Sequence, residues 1–442
     1  MRKSLYHSIL FFIYFILLVI QIPKTRAEGV ELTGTPDPEY TLHIQSTLVP
    51  QWHPDFRSDY QGPQSLHSTA EKAVSYSGTV FFGYRIFHET EVYVNPELIT
   101  GGGISDAYGL GAYPNGEINR VGDSGFQLTI ARAYVSQTFP LDGEKESTPD
   151  DLNQIAGSKA THYIRLTLGK YSLADFFDDN AYAHDQRTQF LNWCFMDNCA
   201  WDFAMNPLGY IYGFTAELNE KDWALRAVMT TEPTRVNGGA MDPHLNHANS
   251  IAIEFERHHK IAEHPGTVRL LVYENSSLAQ NYADLVQGQS QNGYHTKWGG
   301  GINADQEITK DFGFFIRLGA NDGKTESWTF TEADSTVALG FALNGRVWNR
   351  GSDTIGLGVG INGLTSEHAA FLKAGGLGLM LGDGDLDYAP EEYLEVYYSL
   401  EVPKVTNLFI TPDFQMIRNP GYNQDRGPVP IYAMRLHYQW GL

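Results

Sequence analysis

One stretch of the chain concentrates side chains that can exchange protons, hydrogen bond or pair as ions. Residues 175–187 hold four aspartates, one asparagine, one histidine and one arginine, namely Asp175, Asp178, Asp179, Asn180, His184, Asp185 and Arg187. Two carboxylates on either side of a glycosidic bond can hydrolyse it as acid and base, and Asp178 with Glu97 would be such a pair. The same groups can also be solvated charges or ion pairs. The elements that hold them must decide between these interpretations.

The two cysteines, Cys194 and Cys199, are five residues apart. A zinc site would need a second Cys or His pair at matching spacing, and no such pair accompanies them. In an oxidising compartment two neighbouring cysteines usually form a disulfide. We therefore expect a disulfide that clamps one loop.

Two further groups have the residue types of metal sites without the complete pattern. His244 and His247 lack a third ligand and a helical setting. The acidic run 383–387 is similar to the start of a calcium loop, but Tyr388 stands at the glycine position and Leu394 at that of the bidentate glutamate. We expect an acidic surface loop there, no metal, and no cofactor.

The first 27 residues have the layout of a secretory signal peptide. Arg2 and Lys3 precede an apolar run over 10–22, and the small residues Thr25 and Ala27 suit cleavage after Ala27. The run is shorter than the roughly 20 residues that a spanning helix needs. The rest of the chain has no apolar run of ten residues, so any passage through a membrane must use strands.

Charge and composition narrow the class of protein further. Removal of the signal peptide, with its four basic residues, takes the formal charge from −21 to −25. This excess of acid opposes binding to nucleic acid, which depends on neutralising phosphates. Residues 28–442 contain no Pro- or Ser-rich linker and no shift in composition, so we expect one domain over this range.

The elements that carry the polar side chains follow a two-residue period. The final segment, 430–442, places Tyr432 and Leu436 on one face of a strand. It places Arg435 and His437 on the other. Sixteen such segments occur, over 41–49 (weakly), 74–84, 92–98, 126–139 (with a break midway), 163–169, 210–218, 223–229, 250–257, 267–273, 294–304, 311–320, 335–344, 353–363, 393–402, 407–415 and 430–442.

The connections between these segments alternate between long and short, with 140–160 as the exception. Short turns at one end and long loops at the other are typical of outer-membrane barrels, whereas a sandwich with Greek-key crossovers has no reason for this alternation. The polar face carries many charges, and a sixteen-stranded barrel leaves an aqueous channel for them. We predict an all-β protein, a transmembrane antiparallel up-and-down β-barrel of about 16 strands, with short periplasmic turns and long extracellular loops.

Several segments outside the strand pattern are similar to those of a known family. They include "VYVNPELITGGGISDAYGLGAYPNGEINRVG" (92–122), "GKYSLADFFDDNAYAHDQRTQFLNW" (169–193) and "PDFQMIRNPGYNQDRGPVPIYAMRLHYQW" (412–440). The chain resembles the OprB-type carbohydrate-selective porins of Gram-negative outer membranes. The resemblance implies a barrel that passes monosaccharides and small oligosaccharides by diffusion, with one long loop folded inward to narrow the pore.

By its position, 170–208 is the candidate for that loop. Sugar selectivity needs paired hydrogen-bond donors and acceptors together with aromatic faces for the C–H side of the ring. The predicted substrate-binding residues of the pore constriction are Arg85, Asn95, Glu97, Arg132 and Arg165 on the barrel wall, and Asp175, Asp178, Asp179, Asn180, His184, Asp185, Arg187 and Trp201 on the loop.

The resemblance also implies partners and a location. We expect a non-enzymatic channel in the outer membrane of a Gram-negative bacterium, in contact with the lipid bilayer and lipopolysaccharide, inserted by the outer-membrane insertion machinery, and present as a monomer or trimer. Its solutes would be glucose-like monosaccharides and small oligosaccharides. The alternatives are a general or cation-preferring porin and a secreted β-rich carbohydrate-active enzyme.

Overall fold

Alternating apolar and polar side chains build most of the chain into strands. The structure, a computed structural model, describes residues 38–87, 89–118, 121–291 and 293–441; the predicted signal peptide and Leu442 lie outside these ranges. The strands are β1 Tyr40–His53, β2 Glu71–Phe87, β3 Thr90–Gly102, β4 Gln127–Pro140, β5 Lys145–Thr148, β6 Gly157–Ala160, β7 Tyr163–Tyr171, β8 Ile211–Asn219, β9 Trp223–Thr231, β10 Asn249–Ile261, β11 His264–Ser277, β12 His295–Thr309, β13 Phe312–Asn321, β14 Ser335–Asn344, β15 Thr354–Gly363, β16 Glu391–Glu401, β17 Leu408–Arg418 and β18 Val429–Gly441. The helices are α1 Trp193–Met196, α2 Tyr282–Val286 and α3 Ser366–Lys373.

Sixteen of these strands form one closed antiparallel barrel, in which every neighbour in space is also the next barrel strand along the chain. The first and last strands close it, with Ile44 of β1 opposite Trp440 of β18. The remaining two, β5 and β6, form a separate hairpin. The predicted up-and-down barrel of about 16 strands is confirmed, including the weak first segment.

The two faces of the strands divide as the alternation predicts. Large apolar side chains such as Leu128, Trp298 and Val272 point outward and are 58–71% exposed. Charged side chains such as Arg269 and Arg317 point inward and are buried. A soluble sandwich would bury the first set and expose the second, so the outer surface of this barrel is suited to lipid.

A β-bulge in β4 explains the predicted break in segment 126–139. Asn95 of β3 pairs with Arg132, but the next residue, Pro96, pairs with Ile130, which leaves Ala131 as an extra residue. An extra residue reverses the side-chain alternation beyond it. The bulge therefore turns Arg132 toward the lumen, where the earlier phase of the strand would have turned it toward lipid.

The barrel has a short-turn end and a long-loop end. At the short-turn end lie the turns β2–β3, β8–β9, β10–β11, β12–β13, β14–β15 and β16–β17, together with the connection 141–162, which contains the hairpin β5–β6. Eight long loops lie at the other end, over 54–70, 103–126, 172–210, 232–248, 278–294, 322–334, 364–390 and 419–428. The alternation of long and short connections is confirmed, and we call the exception, 141–162, the hairpin insert.

Two of the long loops fold into the barrel, where one was predicted. We call 103–126 the first inward loop and 172–210 the second inward loop. In the first, the backbone N–H groups of Gly111 and Ala112 donate to Glu391 at 3.3 and 2.6 Å. The second spans the lumen and is described below.

Three other long loops pack against each other at the long-loop end. His368 of α3 is fully buried between Asp334, with Nδ1 3.0 Å from Oδ2, and Glu332, with Nε2 3.5 Å from Oε1. Its ring stacks on Tyr282 of α2, with 4.2 Å between the ring centroids.

Among the described residues, no helix has the length and apolar character to cross a membrane.

Candidate functional site: the constriction of the barrel

The second inward loop lies in the lumen because its aromatic side fits the inner wall. The Phe190 ring lies 5.4 Å from that of Phe315 on β13. On β15 the inward position is Gly358, where an added Cβ would lie 2.8 Å from the Phe195 ring. Gly358 therefore leaves room for this loop, whereas an added Cβ at Gly356 or Gly360 would meet Tyr397 or Tyr393 of β16.

Buried charges fasten the same loop to the wall. Arg317 of β13 pairs with Asp178 at 3.0 Å and also donates to the carbonyl of Asp178. Glu395 of β16 accepts from the backbone N–H groups of Leu191 and Asn192, at 2.6 and 2.9 Å. Buried charges are tolerated when they are paired and hydrogen bonded. The wall of β13–β16 thus holds the loop, and Glu254 of β10 and Tyr273 of β11 also bond to its backbone, at 2.8 Å each.

On β4, Arg132 meets the start of this loop. Its guanidinium donates to both carboxylate oxygens of Asp175, Nε to Oδ2 at 2.7 Å and Nη2 to Oδ1 at 2.5 Å. It also lies over the ring of Tyr210, 5.3 Å from the centroid. A bidentate pair of this kind fixes the orientation of both partners, and it presents ionic groups beside an aromatic face.

A second set of charges continues from Tyr210. The Tyr210 hydroxyl donates to Glu97 of β3 at 2.7 Å, and Arg187 of the second inward loop lies 3.4 Å from the same carboxylate. Arg187 also donates to Glu117 of the first inward loop at 2.6 Å. Both inward loops and the β3–β4 wall therefore meet in one network of alternating charge.

A belt of charges crosses the wall next to this network. Arg165 of β7 lies 3.5 Å from Glu217, which is 3.2 Å from Arg226 of β9. Arg226 pairs with Glu256 at 3.1 Å, and Glu256 pairs with Arg269 of β11 at 2.7 Å. Arg165 is the most exposed of the three arginines, at 29% of its side chain, and its guanidinium stacks on the Tyr163 ring. The belt keeps its arginines extended by pairing each with a carboxylate.

Asp179 and His184 of the second inward loop complete this side of the lumen. The Asp179 side chain is 63% exposed and lies 3.8 Å from Arg269. Burial opposes its charge, but His184 and Arg269 outweigh that effect and lower the pKa of Asp179. Burial likewise opposes the charge of His184, but Asp179 and Asp197 outweigh it and raise the pKa of His184. Electrostatics therefore favour a charged Asp179 at the edge of the channel.

The predicted site residues fall into three groups in the structure. Arg132, Glu97, Asp175 and Arg187 meet at the constriction, while Arg165, Asp179 and His184 face the adjoining lumen. Asp178, Asn180, Asp185 and Trp201 serve inside the loop or at its seat: Asn180 donates to Asn303 at 2.7 Å, Asp185 accepts from Thr188 at 2.7 Å, and Trp201 is fully buried. Arg85 lies nearer the short-turn end and bonds to Ala156 of the hairpin insert, and Asn95, near the middle of β3, bonds to Asn153 of the same insert.

Two residues of the network were not among the predicted site residues. Tyr210 fits the apolar alternation of segment 210–218, which suggests an outward position, but β8 begins at Ile211 and Tyr210 is buried against Glu97. Glu117 lies in the "PNGE" part of the motif 92–122. That motif was the one signal in the sequence that marked Glu117.

Cys194 and Cys199 are joined by a disulfide in the second inward loop, as predicted from their spacing. Both sulfurs are buried, and Asn362 Nδ2 lies 3.2 and 3.4 Å from them. Within the described ranges, no three His, Cys, Asp or Glu side chains are grouped as a metal site would require.

Comparison with known proteins gives this geometry a family. The carbohydrate-selective porins of the OprB family match residues 83–440. OprB of Pseudomonas putida, solved at high pH, has 14% identity and a TM-score of 0.66 over 91% of this chain and 94% of its own. The outer-membrane channel DcaP of Acinetobacter baumannii has 9% identity and a TM-score of 0.53 over 91% of this chain and 97% of its own. At these identities the structural likeness shows the fold.

A search of curated proteins found no match. The family match nevertheless covers most of the barrel strands and both inward loops. The closed barrel of sixteen strands and its lumen narrowed by inward loops agree with that match. The chain therefore belongs to the OprB family of carbohydrate-selective porins and is an outer-membrane β-barrel channel.

Proposed function

We propose that the protein lets monosaccharides and small oligosaccharides diffuse passively and selectively across the outer membrane. The observation that carries this proposal is the Arg132–Asp175 pair beside the Tyr210 ring. A sugar offers vicinal hydroxyls, which suit a guanidinium and a carboxylate held side by side. The Tyr210 ring, which is buried, supports the guanidinium from behind. Arg187, which lies 3.4 Å from Glu97, supplies a second donor within the same network.

A channel must bind its solute weakly enough to release it. A millimolar site corresponds to about −4 kcal/mol, which a few such contacts supply. The arginines and carboxylates are already paired with each other, so a sugar replaces existing contacts rather than meeting bare charges. This exchange favours fast, weak binding.

The proposed setting follows from the barrel. We place the short-turn end in the periplasm and the long-loop end outside the cell, with residues 1–27 removed on export. The outer face would contact lipid and lipopolysaccharide after insertion by the outer-membrane machinery, as a monomer or a trimer. Native-gel analysis and crosslinking of purified outer membranes test the oligomeric state.

The experiment that tests the function is single-channel conductance in a planar bilayer. The refolded protein is titrated with glucose, with maltose and with an uncharged non-sugar of similar size. We expect saturable block by the sugars at millimolar concentration and none by the non-sugar. Stable conductance without sugar block would make the protein a general porin, and the acid-rich sequence would then predict a preference for cations.

An enzyme that uses Asp178 and Glu97 as acid and base has little support. Asp178 is paired with Arg317 at the seat of the loop. Glu97 accepts from Thr79 and Tyr210, at 2.7 Å each. Both carboxylates are therefore committed to structural contacts. Assays for hydrolysis of the sugars that block the channel provide the test, and we expect no product.

A further inference from the structure

The hairpin insert (141–162) is the connection that departs from the alternation of short turns and long loops. It packs against the barrel. The ladder of β4 and β7 ends with Pro140 opposite Tyr163, after which the chain makes the small hairpin β5–β6. Beyond β5, a tight turn forms where Asp151 and Gln154 exchange backbone hydrogen bonds at 3.1 and 3.0 Å. We call residues 149–156 the tip of the insert.

Toward its tip the insert contacts wall residues that point into the lumen, whereas at its base Lys145 and His162 pair with Glu89 and Glu220 of neighbouring turns. The Asp150 carboxylate of the tip lies 2.7 Å from Nε2 of His43 on β1. Lys159 lies 3.3 Å from Glu91 on β3. The Ile155 side chain is fully buried, in the same apolar cluster as the inward-facing Tyr93. From β6 to the tip, the insert therefore lies inside the barrel, against the wall of β1–β3, while its base is exposed.

The tip reaches the level of the constriction. Asn95 Nδ2 donates to Oδ1 of Asn153 at 2.9 Å, and Asn95 lies near the middle of the 13 residues of β3. Asn95 is also the register partner of Arg132, which holds Asp175 of the second inward loop. The hairpin insert, from the short-turn end, thus contacts Asn95, and the second inward loop, from the long-loop end, contacts Arg132. The two elements meet one pair of neighbouring wall residues from opposite sides.

We propose that the hairpin insert is a second pore-narrowing element, which enters from the short-turn end and sets the size limit and the charge preference of the exit. The proposal rests on the channel function proposed above. The insert occupies part of the lumen along β1–β3, so a solute that has passed Arg132 must pass the tip next. Its five acidic and two lysine residues give it a net charge of −3. Carboxylates lining a pore favour cations over anions.

The first test removes the insert while preserving the barrel. Residues 143–160 are replaced by two glycines, since the backbone N–H of Leu141 already bonds to the carbonyl of His162 and the ladder can close there. We expect the single-channel conductance to rise roughly twofold and the permeation of maltotriose into liposomes to increase relative to glucose. Unchanged conductance and an unchanged maltotriose-to-glucose ratio would overturn the proposal.

The second test changes charge without changing length. In D150N/D151N the tip loses two charges, one of them paired with His43 of the wall, and in the matched control E144Q/E146Q the exposed base of the same hairpin loses two. We expect the reversal potential in a salt gradient to shift toward anions in the tip variant and to move far less in the control. Equal shifts would overturn the proposal.

These measurements keep the two proposals separate. Sugar block of the wild-type channel tests the proposed function. The conductance, permeation and reversal potential of each variant relative to the wild type test the role of the insert. A shift of apparent mass on boiling identifies each variant as a folded barrel before it is measured.

Discussion

At the scale of single residues, the constriction depends on where one guanidinium points. Arg132 faces the lumen because Ala131 is an extra residue in β4, and it is held there by two hydrogen bonds to Asp175. Arginine is suited to this role because its planar fork satisfies both oxygens of a carboxylate and stacks on an aromatic ring. Lysine would keep the charge but not the fork.

Replacement of this arginine is the sharpest test of the sugar site. In Arg132→Gln, both charge-assisted hydrogen bonds to Asp175 are lost, and bonds to charged groups contribute about 1.5–3 kcal/mol. We expect the sugar concentration for half block to rise about tenfold, which corresponds to about 1.4 kcal/mol, in the bilayer titration. Arg418→Gln is the matched control, because Arg418 pairs with Glu392 on the outer face and is 65% exposed. Equal sugar block in the wild type, Arg132→Gln and Arg418→Gln would contradict the assignment of Arg132 to the sugar site.

His368 makes the long-loop end sensitive to pH. Burial disfavours its charge, but Asp334 and Glu332 outweigh that effect and raise the pKa of His368 from 6.5 to about 9. A raised pKa in the folded state means that the charged ring stabilises it. This stabilisation is fully present below about pH 6.5 and is lost as the pH rises through about 9.

We therefore expect loop 364–390 to resist proteolysis at pH 6 and to be cleaved faster above pH 9, with rates normalised to an unfolded substrate. His368→Gln removes the titrating group, and the loop should then be cleaved readily at both pH values. His244→Gln, in an exposed loop position, should behave like the wild type. A His368→Gln protein with the same pH dependence as the wild type would show that another group is responsible.

At the scale of elements, the inner wall and the second inward loop are complementary in shape. Gly358 of β15 leaves the space that the rings of Phe190 and Phe195 fill, with an added Cβ only 2.8 Å from Phe195 and 3.0 Å from Phe190. The rings are buried and packed against other aromatic residues. They cannot move aside without displacing the loop.

Gly358→Val tests this complementarity. Overpacking a well-filled interior usually costs about 1–3 kcal/mol, and here the loop can relieve it by leaving its seat. We expect a larger conductance and weaker sugar block, with the barrel still folded. Gly239→Val is the control, since an added Cβ there would meet nothing within 4 Å. Wild-type conductance and block in Gly358→Val would show that the loop tolerates the larger side chain.

The strands could be predicted from the sequence because each has one face toward lipid and one toward water. Apolar and polar residues therefore alternate along every strand. Even the break in 126–139 corresponds to a physical feature, the bulge at Ala131. The hairpin insert could not be placed in this way. Its position inside the barrel depends on distant wall residues such as His43 and Asn95, and no local pattern encodes such contacts.

The site was harder to predict than the fold for the same reason. Asp178 and Asp175 look alike in the sequence, three residues apart, yet one is buried against Arg317 and the other faces Arg132. Trp201 has the side chain that a sugar would stack on, but it is fully buried. Which polar residues of a loop face the channel depends on how the whole loop is seated.

At the scale of the whole molecule, closure of the barrel by β1 and β18 leaves no edge strand among the described strands of the barrel. Such barrels lose their hydrogen bonds together or not at all, and their outward side chains bind detergent without unfolding. We expect the unboiled protein to migrate anomalously in a detergent gel and to shift on boiling. The Gly358→Val and Arg132→Gln proteins should shift in the same way. A single position with and without boiling would contradict the barrel and favour a secreted soluble protein.

The fit between β15 and the second inward loop also has an evolutionary consequence. Gly358 and Phe195 are 163 residues apart in the chain, but a larger side chain at one position is compatible only with a smaller one at the other. Among homologues these positions should covary, while the lipid-facing residues beside them drift independently. A chimera that takes the second inward loop from a distant homologue should therefore form a native constriction only when β15 is exchanged with it. The loop and β15 should evolve together when the pore changes.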